Sequence, residues 1–373
     1  MIASVFLSAL LATTPCLSWR GLHLDESRHF FGKEAVCRFV DRMSSLGYNT
    51  FHWHLTDHHG WRIEIKRYPK PTQDGAVRRL CDWKGRIAQK WLDEGVESYG
   101  PYFYTQDEAR EIVAYAAARG VTVVPEIELP GHVFAALCAY PELGCPDELA
   151  RLEELGVKAA TLCAGTDETL RFFEGVLDEV CDIFPSPFVH LGGDEVCKDV
   201  WKGCPRCQAR MKRLGLEGED ALQGWLMRHF AGYLKSKGRR MVGWDEILDD
   251  ALPKDVVVMC WRGHARARLA AEAGYDVVLC PEEFCYFDFR QSEEDDGFRY
   301  HPKGRLFEPV SAEKVRRFDP YAGLSRNLRS HVLGAQANNW TEYTPDERTL
   351  DHKLWKRAEA LSSALSCPRK EKP

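Results

Sequence analysis

Eight short runs of apolar and β-branched residues recur along the chain, each separated from the next by a segment with helical periodicity. They are GLHLDE from Gly21, NTFHWHL from Asn49, VTVVPEIEL from Val121, FVHLGGDE from Phe188, RMVGWDEI from Arg240, DVVVMCW from Asp255, YDVVLCPE from Tyr275 and VLGAQANNW from Val332. Strands that alternate with helices pair in parallel through crossovers, because a tight hairpin cannot join parallel neighbours. Eight is the number that closes a (β/α)8 barrel. The 373 residues would also suit two or three average domains, but the strand count points to one large α/β domain, a TIM barrel over residues 19–366. Residues 1–18 are expected to be a signal peptide or N-terminal extension, and 367–373 a short polar tail.

The helices between the runs are supported by period and caps. Val36, Phe39, Val40 and Met43 share one face. Thr105 and Glu108 form a capping box ahead of Ala109, Ile112, Val113, Ala116 and Ala117, and Gly120 can end that helix. After Thr166, Leu170, Phe173, Val176, Leu177 and Val180 make a further apolar stripe. These faces are core and carry no chemistry. The polar stretch DFRQSEEDDGFRYHPKGRLFEP after the seventh run is a loop, with SEEDDG its solvated tip.

Composition narrows the partners. The net charge of -6 is spread along the chain without a long basic run, which argues against nucleic acid. No apolar stretch is long enough to span a membrane. The opening MIASVFLSALLATTPCLS has a signal-like apolar run but lacks the preceding Lys or Arg, so a secreted or periplasmic location is expected and a cytoplasmic one stays open. Of fourteen cysteines, Cys37, Cys181, Cys260 and Cys280 fall on apolar helix faces or in apolar strands. The one metal-like spacing is Cys204-Pro-Arg-Cys207, with Cys197 upstream. A single C-x-x-C without a second pair is weak zinc evidence, so neither metal nor cofactor is expected.

Polar and aromatic residues collect where the runs end, the face on which a barrel builds its active site. His54 and Asp57 follow the second run; Glu126, Glu128 and His132 the third. Asp194 and Glu195 end the fourth, Trp244, Asp245 and Glu246 the fifth, and Trp261 the sixth. Tyr286 and Asp288 follow the seventh, Trp340 and Glu342 the eighth. Rings with carboxylates between them suit a sugar, whose C–H faces stack while its hydroxyls bond to acids. No glycine-rich phosphate loop and no serine elbow follows any run. In His190-Leu-Gly-Gly-Asp194-Glu195 the glycines let another atom approach the backbone. Two adjacent carboxylates in an aromatic cleft should have pKa values pushed apart, leaving one protonated as the acid that glycoside cleavage needs. The bland reading, an exposed acidic strand end, stands beside it.

The motifs FHWHLTDHHGWRIEI, YTQDEAREIVAYAAARGVTVVPEIELPGH, HLGGDEV, GWDEIL, WRG, CYFDFRQ and GAQANNWTEY, in this order, resemble the glycoside hydrolase family 20 β-N-acetylhexosaminidases. The likeness begins at WRGLHLDESRHF and runs to the last helix. It implies an exo-acting, retaining enzyme that removes terminal GlcNAc or GalNAc from oligosaccharides or glycoconjugates without a cofactor. The substrate's own 2-acetamido oxygen is the nucleophile in that family. Carried over, Glu195 is the general acid/base, Asp194 orients the acetamido N–H, and Tyr286 holds its carbonyl oxygen. Trp244, Trp261 and Trp340 match the aromatic walls; Arg20, Asp288 and Glu342 match hydroxyl-binding positions; and Asp57 and His132 resemble the relay behind the acid.

The chain departs from the family pattern at Thr56-Asp57-His58-His59-Gly60-Trp61, where Thr-Asp-Asp-Gln-Gly-Trp is usual, so the relay is expected to be tuned differently. The small α/β domain that usually precedes the barrel is not expected, since the Arg20 motif begins almost at the first residue. Its loss would uncover a barrel face, which leaves a homo-oligomer open. No room for a carbohydrate-binding module is expected after the eighth helix. Two other readings remain at this stage: a catalytically silent glycan-binding barrel, and a barrel glycosidase acting on plain β-glucosides.

Overall fold

The computed structural model describes residues 17–79, 98–146, 160–249, 251–295 and 298–366. Residues 1–16 of the signal-like segment, the 367–373 tail and two positions of the acidic loop tip lie outside the described residues. Each of the eight runs forms a barrel strand: β1 (Trp19–Asp25), β2 (Thr50–His54), β3 (Thr122–Glu126), β4 (Phe188–His190), β5 (Arg240–Trp244), β6 (Val257–Cys260), β7 (Asp276–Leu279) and β8 (Val332–Ala337). The strands close in the order β1-β8-β7-β6-β5-β4-β3-β2, every neighbour parallel. Because both faces of a parallel barrel strand are covered, β2 and β6 are buried along their whole length; β6 is accordingly an apolar run, while β2 alternates, with His52 and His54 buried against Glu126.

The surrounding helices include α1 (Lys33–Ser45), α2 (Gln106–Ala117), α3 (Asp167–Ile183), α4 (Pro205–Leu214), α5 (Gly218–Ser236), α6 (His264–Glu272), α7 (Ala312–Arg316) and α8 (Glu347–Ser366). Val36, Phe39, Val40 and Met43 of α1 are buried, each such side chain contributing roughly 1.5–3 kcal/mol. The capping box of α2 forms as its sequence predicts. Its apolar face is narrower than expected, since Ala117 is exposed while Ala109, Ile112, Val113 and Ala116 are buried. Among the described residues no helix is long and apolar enough to cross a membrane.

Register sets up the site. Asp25 pairs with His54, His54 with Glu126, and Glu126 with His190, so the last residues of β1 to β4 lie in one layer at the C-terminal mouth. On the opposite side α8 reaches in with Arg357, fully buried, which donates to the carbonyls of Phe287, Phe289 and Val310. That anchor fixes the segment after β7 that carries Tyr286 and Asp288.

Candidate active site

The layer at the mouth forms a chain of alternating charges. Glu126 is completely buried; desolvation would raise its pKa, yet His190, His54 and His52 hold it well below the carboxylate range. His54 is also buried, which would discharge it, but Glu126 and Asp57 lift its pKa to about 10. Its Nδ1 meets Glu126 in a short hydrogen bond and its Nε2 lies 3.0 Å from Asp57 Oδ2. Burial pushes Asp57 up as well, but Arg28 and His132 keep it well below its usual value. The other Asp57 oxygen is 3.2 Å from His132 Nδ1. Desolvation acts against a charge on His132 too, and the Asp57 and Asp194 carboxylates outweigh it. His132 Nε2 then faces Asp194 Oδ2 at 3.3 Å and Glu195 Oε2 at 3.7 Å. The order Glu126, His54, Asp57, His132, Asp194/Glu195 thus runs from the barrel core to the paired carboxylates.

His58 and His59 both attach to this chain. His58 stacks on His132 with ring centroids 4.6 Å apart, and His59 Nδ1 accepts from Arg28 Nε at 3.1 Å. The departure from the family pattern therefore supports the relay from its flank.

The backbone under the dyad is strained. His132 (φ 54°) and Glu195 (φ 46°) are the non-glycine residues with positive φ among the described residues. Strain of this kind costs of order 1–3 kcal/mol and gathers at functional positions. Gly192 (φ 64°) and Gly193 (φ 95°) take the same region just before. A Cβ on Gly192 would lie 1.7 Å from Glu128 Oε2, and one on Gly193 2.3 Å from Ile247 Cγ2. The close approach that the glycines permit is thus made by Glu128 and Ile247 from within the protein, in place of the ligand contact expected from sequence. Glu128 itself is buried, and burial together with Asp194 and Glu126 raises its pKa well above the carboxylate range.

A cleft opens over this floor at the C-terminal mouth of the barrel. His132, Asp194, Glu195, Trp244, Trp261, Tyr286, Asp288, Trp340 and Glu342 all line it. Trp261 and Tyr286 stack at 6.1 Å with planes 21° apart, and Tyr286 and Trp340 meet edge to face at 6.3 Å. Trp244 is pinned by its Nε1 donating to Glu126 Oε1 at 2.9 Å, and Trp261 by a 3.1 Å bond to Glu246. Burial and the Glu342 carboxylate push Asp288 up to about 8, so at neutral pH it can donate a hydrogen bond. Asp194 Oδ1, Asp288 Oδ1 and Glu342 Oε2 are buried without a hydrogen-bond partner among the described residues. Buried polar atoms are seldom left so, and these three point to hydroxyl or amide groups of a ligand.

Arg20 is a correction. It sits second in β1, paired with Ala335, and donates from Nε to the Gly47 carbonyl and from Nη1 to the Leu17 carbonyl, both at 2.8 Å. From Arg20 to Asp25 the strand climbs roughly 17 Å at about 3.3 Å per residue, so Arg20 is at the wrong end of the barrel to touch a ligand in the cleft. Arg28 lines the cleft instead. Its Nη2 is 2.8 Å from Asp57 and 3.9 Å from Glu342, its Nη1 is 3.2 Å from Asp25, and its guanidinium lies 5.0 Å from the Trp340 ring centroid. Glu282, Phe289, His301 and Lys303 were also missed. Glu282 lies three residues beyond the end of β7, and Phe289, His301 and Lys303 sit on the long polar loop, outside its SEEDDG tip. Lys303 bonds Glu282 at 2.9 Å and lies 5.1 Å from the Trp261 centroid. Its position two residues from His301 carried no periodic signal.

The family model for glycosyl hydrolase family 20, catalytic domain, matches residues 17–365. The chain belongs to this family. A beta-hexosaminidase of Porphyromonas gingivalis is 38% identical over 96% of this chain and 44% of its own length. One from Vibrio furnissii is 37% identical over 95% and 57%. The chain therefore spans about half the length of these curated relatives. Among solved structures, a family 20 exo β-N-acetylglucosaminidase from Vibrio harveyi, in complex with N-acetylglucosamine, superposes with a TM-score of 0.84 at 32% identity, covering 96% of this chain and 56% of that one. The family assignment agrees with the closed eight-stranded parallel barrel.

Proposed function

We propose that the chain is an exo-acting, retaining β-N-acetylhexosaminidase that removes terminal β-linked N-acetylhexosamine by substrate-assisted catalysis. The observation that carries this reading is that Trp244, Trp261, Tyr286 and Trp340 line one cleft with the Asp194 carboxylate and with Glu195, which is half exposed. The aromatic walls fold the 2-acetamido group under the sugar ring. Asp194 accepts its N–H, Tyr286 donates to its carbonyl oxygen, and that oxygen attacks C1. As the C1–O bond breaks, the leaving oxygen takes the proton of Glu195. His132, held charged by Asp57, stabilises the carboxylate that remains. Glu195 then takes a proton from water, which attacks C1 from the face the leaving group vacated. The oxazolinium ring opens and β configuration is retained. Arg28, Asp288 and Glu342 bind the hydroxyls that remain and close the non-reducing side, which supports exo action.

The intact relay and its two flanking histidines favour catalysis over silent glycan binding. Turnover of an aryl β-N-acetylglucosaminide tests the assignment: Glu195→Gln and Asp194→Asn should each lower kcat by about 10²–10⁴-fold. Near-normal turnover in either variant would sink the role given to that residue. Equal wild-type rates on the aryl β-glucoside would sink the substrate-assisted mechanism.

A further inference from the structure

The isolated Cys204-x-x-Cys207 pair gains a second pair in three dimensions. Cys145 and Cys163 lie against it, and all four sulfurs are within 4.8 Å of one another in a buried cluster. The Cys163–Cys207 separation is 3.7 Å, and Cys145–Cys207 and Cys163–Cys204 are both 3.8 Å. A disulfide would need about 2.05 Å. Four thiolates at about 2.3 Å from a tetrahedral zinc ion stand about 3.8 Å apart along each edge, the separation found here. Cys197, the third cysteine considered near this motif, does not join the group.

The surrounding backbone is built to hold such a knuckle. Cys204 is the N-cap of α4 and Cys207 lies in its first turn, where orphan N–H groups favour negative charge on sulfur. The segment around Cys163 closes onto this turn because Gly165 has no side chain; a Cβ there would lie 2.3 Å from the Arg206 carbonyl carbon. Arg206 donates to the Gly144 carbonyl at 2.7 Å and brings positive charge to the cluster. Cys163 N donates to Leu143 O at 2.8 Å, and Trp201 Nε1 to Leu162 O at 2.8 Å.

We propose that Cys145, Cys163, Cys204 and Cys207 bind one structural zinc ion as a tetrathiolate. The ion staples two loops of the active site. Cys145 continues the segment after β3 that carries His132, and Cys204 continues the segment after β4 that carries Asp194 and Glu195. Leu162 N, next to Cys163, donates to Pro130 O at 2.9 Å, two residues from His132. Metal binding here is folding energy for both loops.

The test uses the purified chain kept reduced. Elemental analysis should find about one zinc per chain, an organomercurial should release it to a metallochromic dye, and cobalt exchange should give the visible spectrum of tetrahedral tetrathiolate cobalt. Cys204→Ser with Cys207→Ser should cut zinc to background and lower the thermal midpoint, while Cys37→Ser, on α1, should change neither. If the double variant does not fold, the wild-type stoichiometry and cobalt spectrum decide alone. Metal-free wild type, bound iron in place of zinc, a cobalt spectrum without four thiolates, or a mass showing the four cysteines in two disulfides would each overturn the proposal.

Discussion

Replacing Asp57 by Asn removes one negative charge from the centre of the relay while keeping the side chain's shape. Three cationic groups lean on that carboxylate: Arg28 at 2.8 Å, His54 at 3.0 Å and His132 at 3.2 Å. Breaking a buried pair by removing one partner costs about 3–5 kcal/mol, and the pairs Arg28–Asp25, His54–Glu126 and His132–Asp194 survive to limit the damage. The thermal midpoint should fall by roughly 4–7 °C. The catalytic effect acts through His132, which loses one of the two carboxylates that keep it charged. A full charge 3.7 Å from Glu195 interacts by about 1–2 kcal/mol at an effective dielectric of roughly 40–80, fitting a half-exposed carboxylate. Its loss lowers kcat by about 5- to 40-fold. The assay is kcat on an aryl β-N-acetylglucosaminide from pH 4 to 9, with thermal melts alongside. In the variant His132 discharges at lower pH, so the profile should change shape as well as height. A melting point that drops while kcat and its pH profile stay superimposable on wild type would refute the relay and leave Asp57 a purely structural residue.

Two further outcomes follow from the site. Arg28→Met should raise KM strongly and destabilise the fold by about 3–5 kcal/mol, because Asp25 and Asp57 lose their counter-ion. Arg20→Met should leave KM and kcat within about twofold, since only hydrogen bonds to carbonyls at the far mouth are lost; Michaelis kinetics showing the reverse pattern would restore Arg20 to the site. The folded-state pKa of His54 is raised to about 10, so its stabilising contribution is complete below the unfolded value near 6.5 and is lost as pH rises through 10, at up to about 1.4 kcal/mol per pH unit. Melts between pH 7 and 10.5 should therefore show a shallower alkaline decline for His54→Gln than for wild type, and identical slopes would contradict the charge given to His54.

The eight strands, the main helix faces and the inventory of groups at the strand ends were legible in the sequence. The reason is local: hydrophobic period and capping residues act over a few positions, and a closed parallel barrel sends every C-terminal strand end to one mouth. His132, Asp194, Glu195, Tyr286, Asp288, Glu342 and the three tryptophans came together there for that reason, with Asp57 behind His132. The choice between Arg20 and Arg28 was different, since it depends on how far along β1 each residue stands when the barrel closes. Nor could sequence show that Glu128 occupies the space above Gly192, that His54 and Glu126 extend the relay, or that a polar loop brings His301 and Lys303 to the cleft. The four cysteines make the same point most clearly. Cys204 and Cys207 are neighbours by helical spacing, but Cys145 and Cys163 reach them only because the loops after β3 and β4 close side by side, and contacts between distant segments leave no period in the chain. The sequence by itself determined the barrel and which groups meet at its mouth; the tertiary structure decided which atoms face one another.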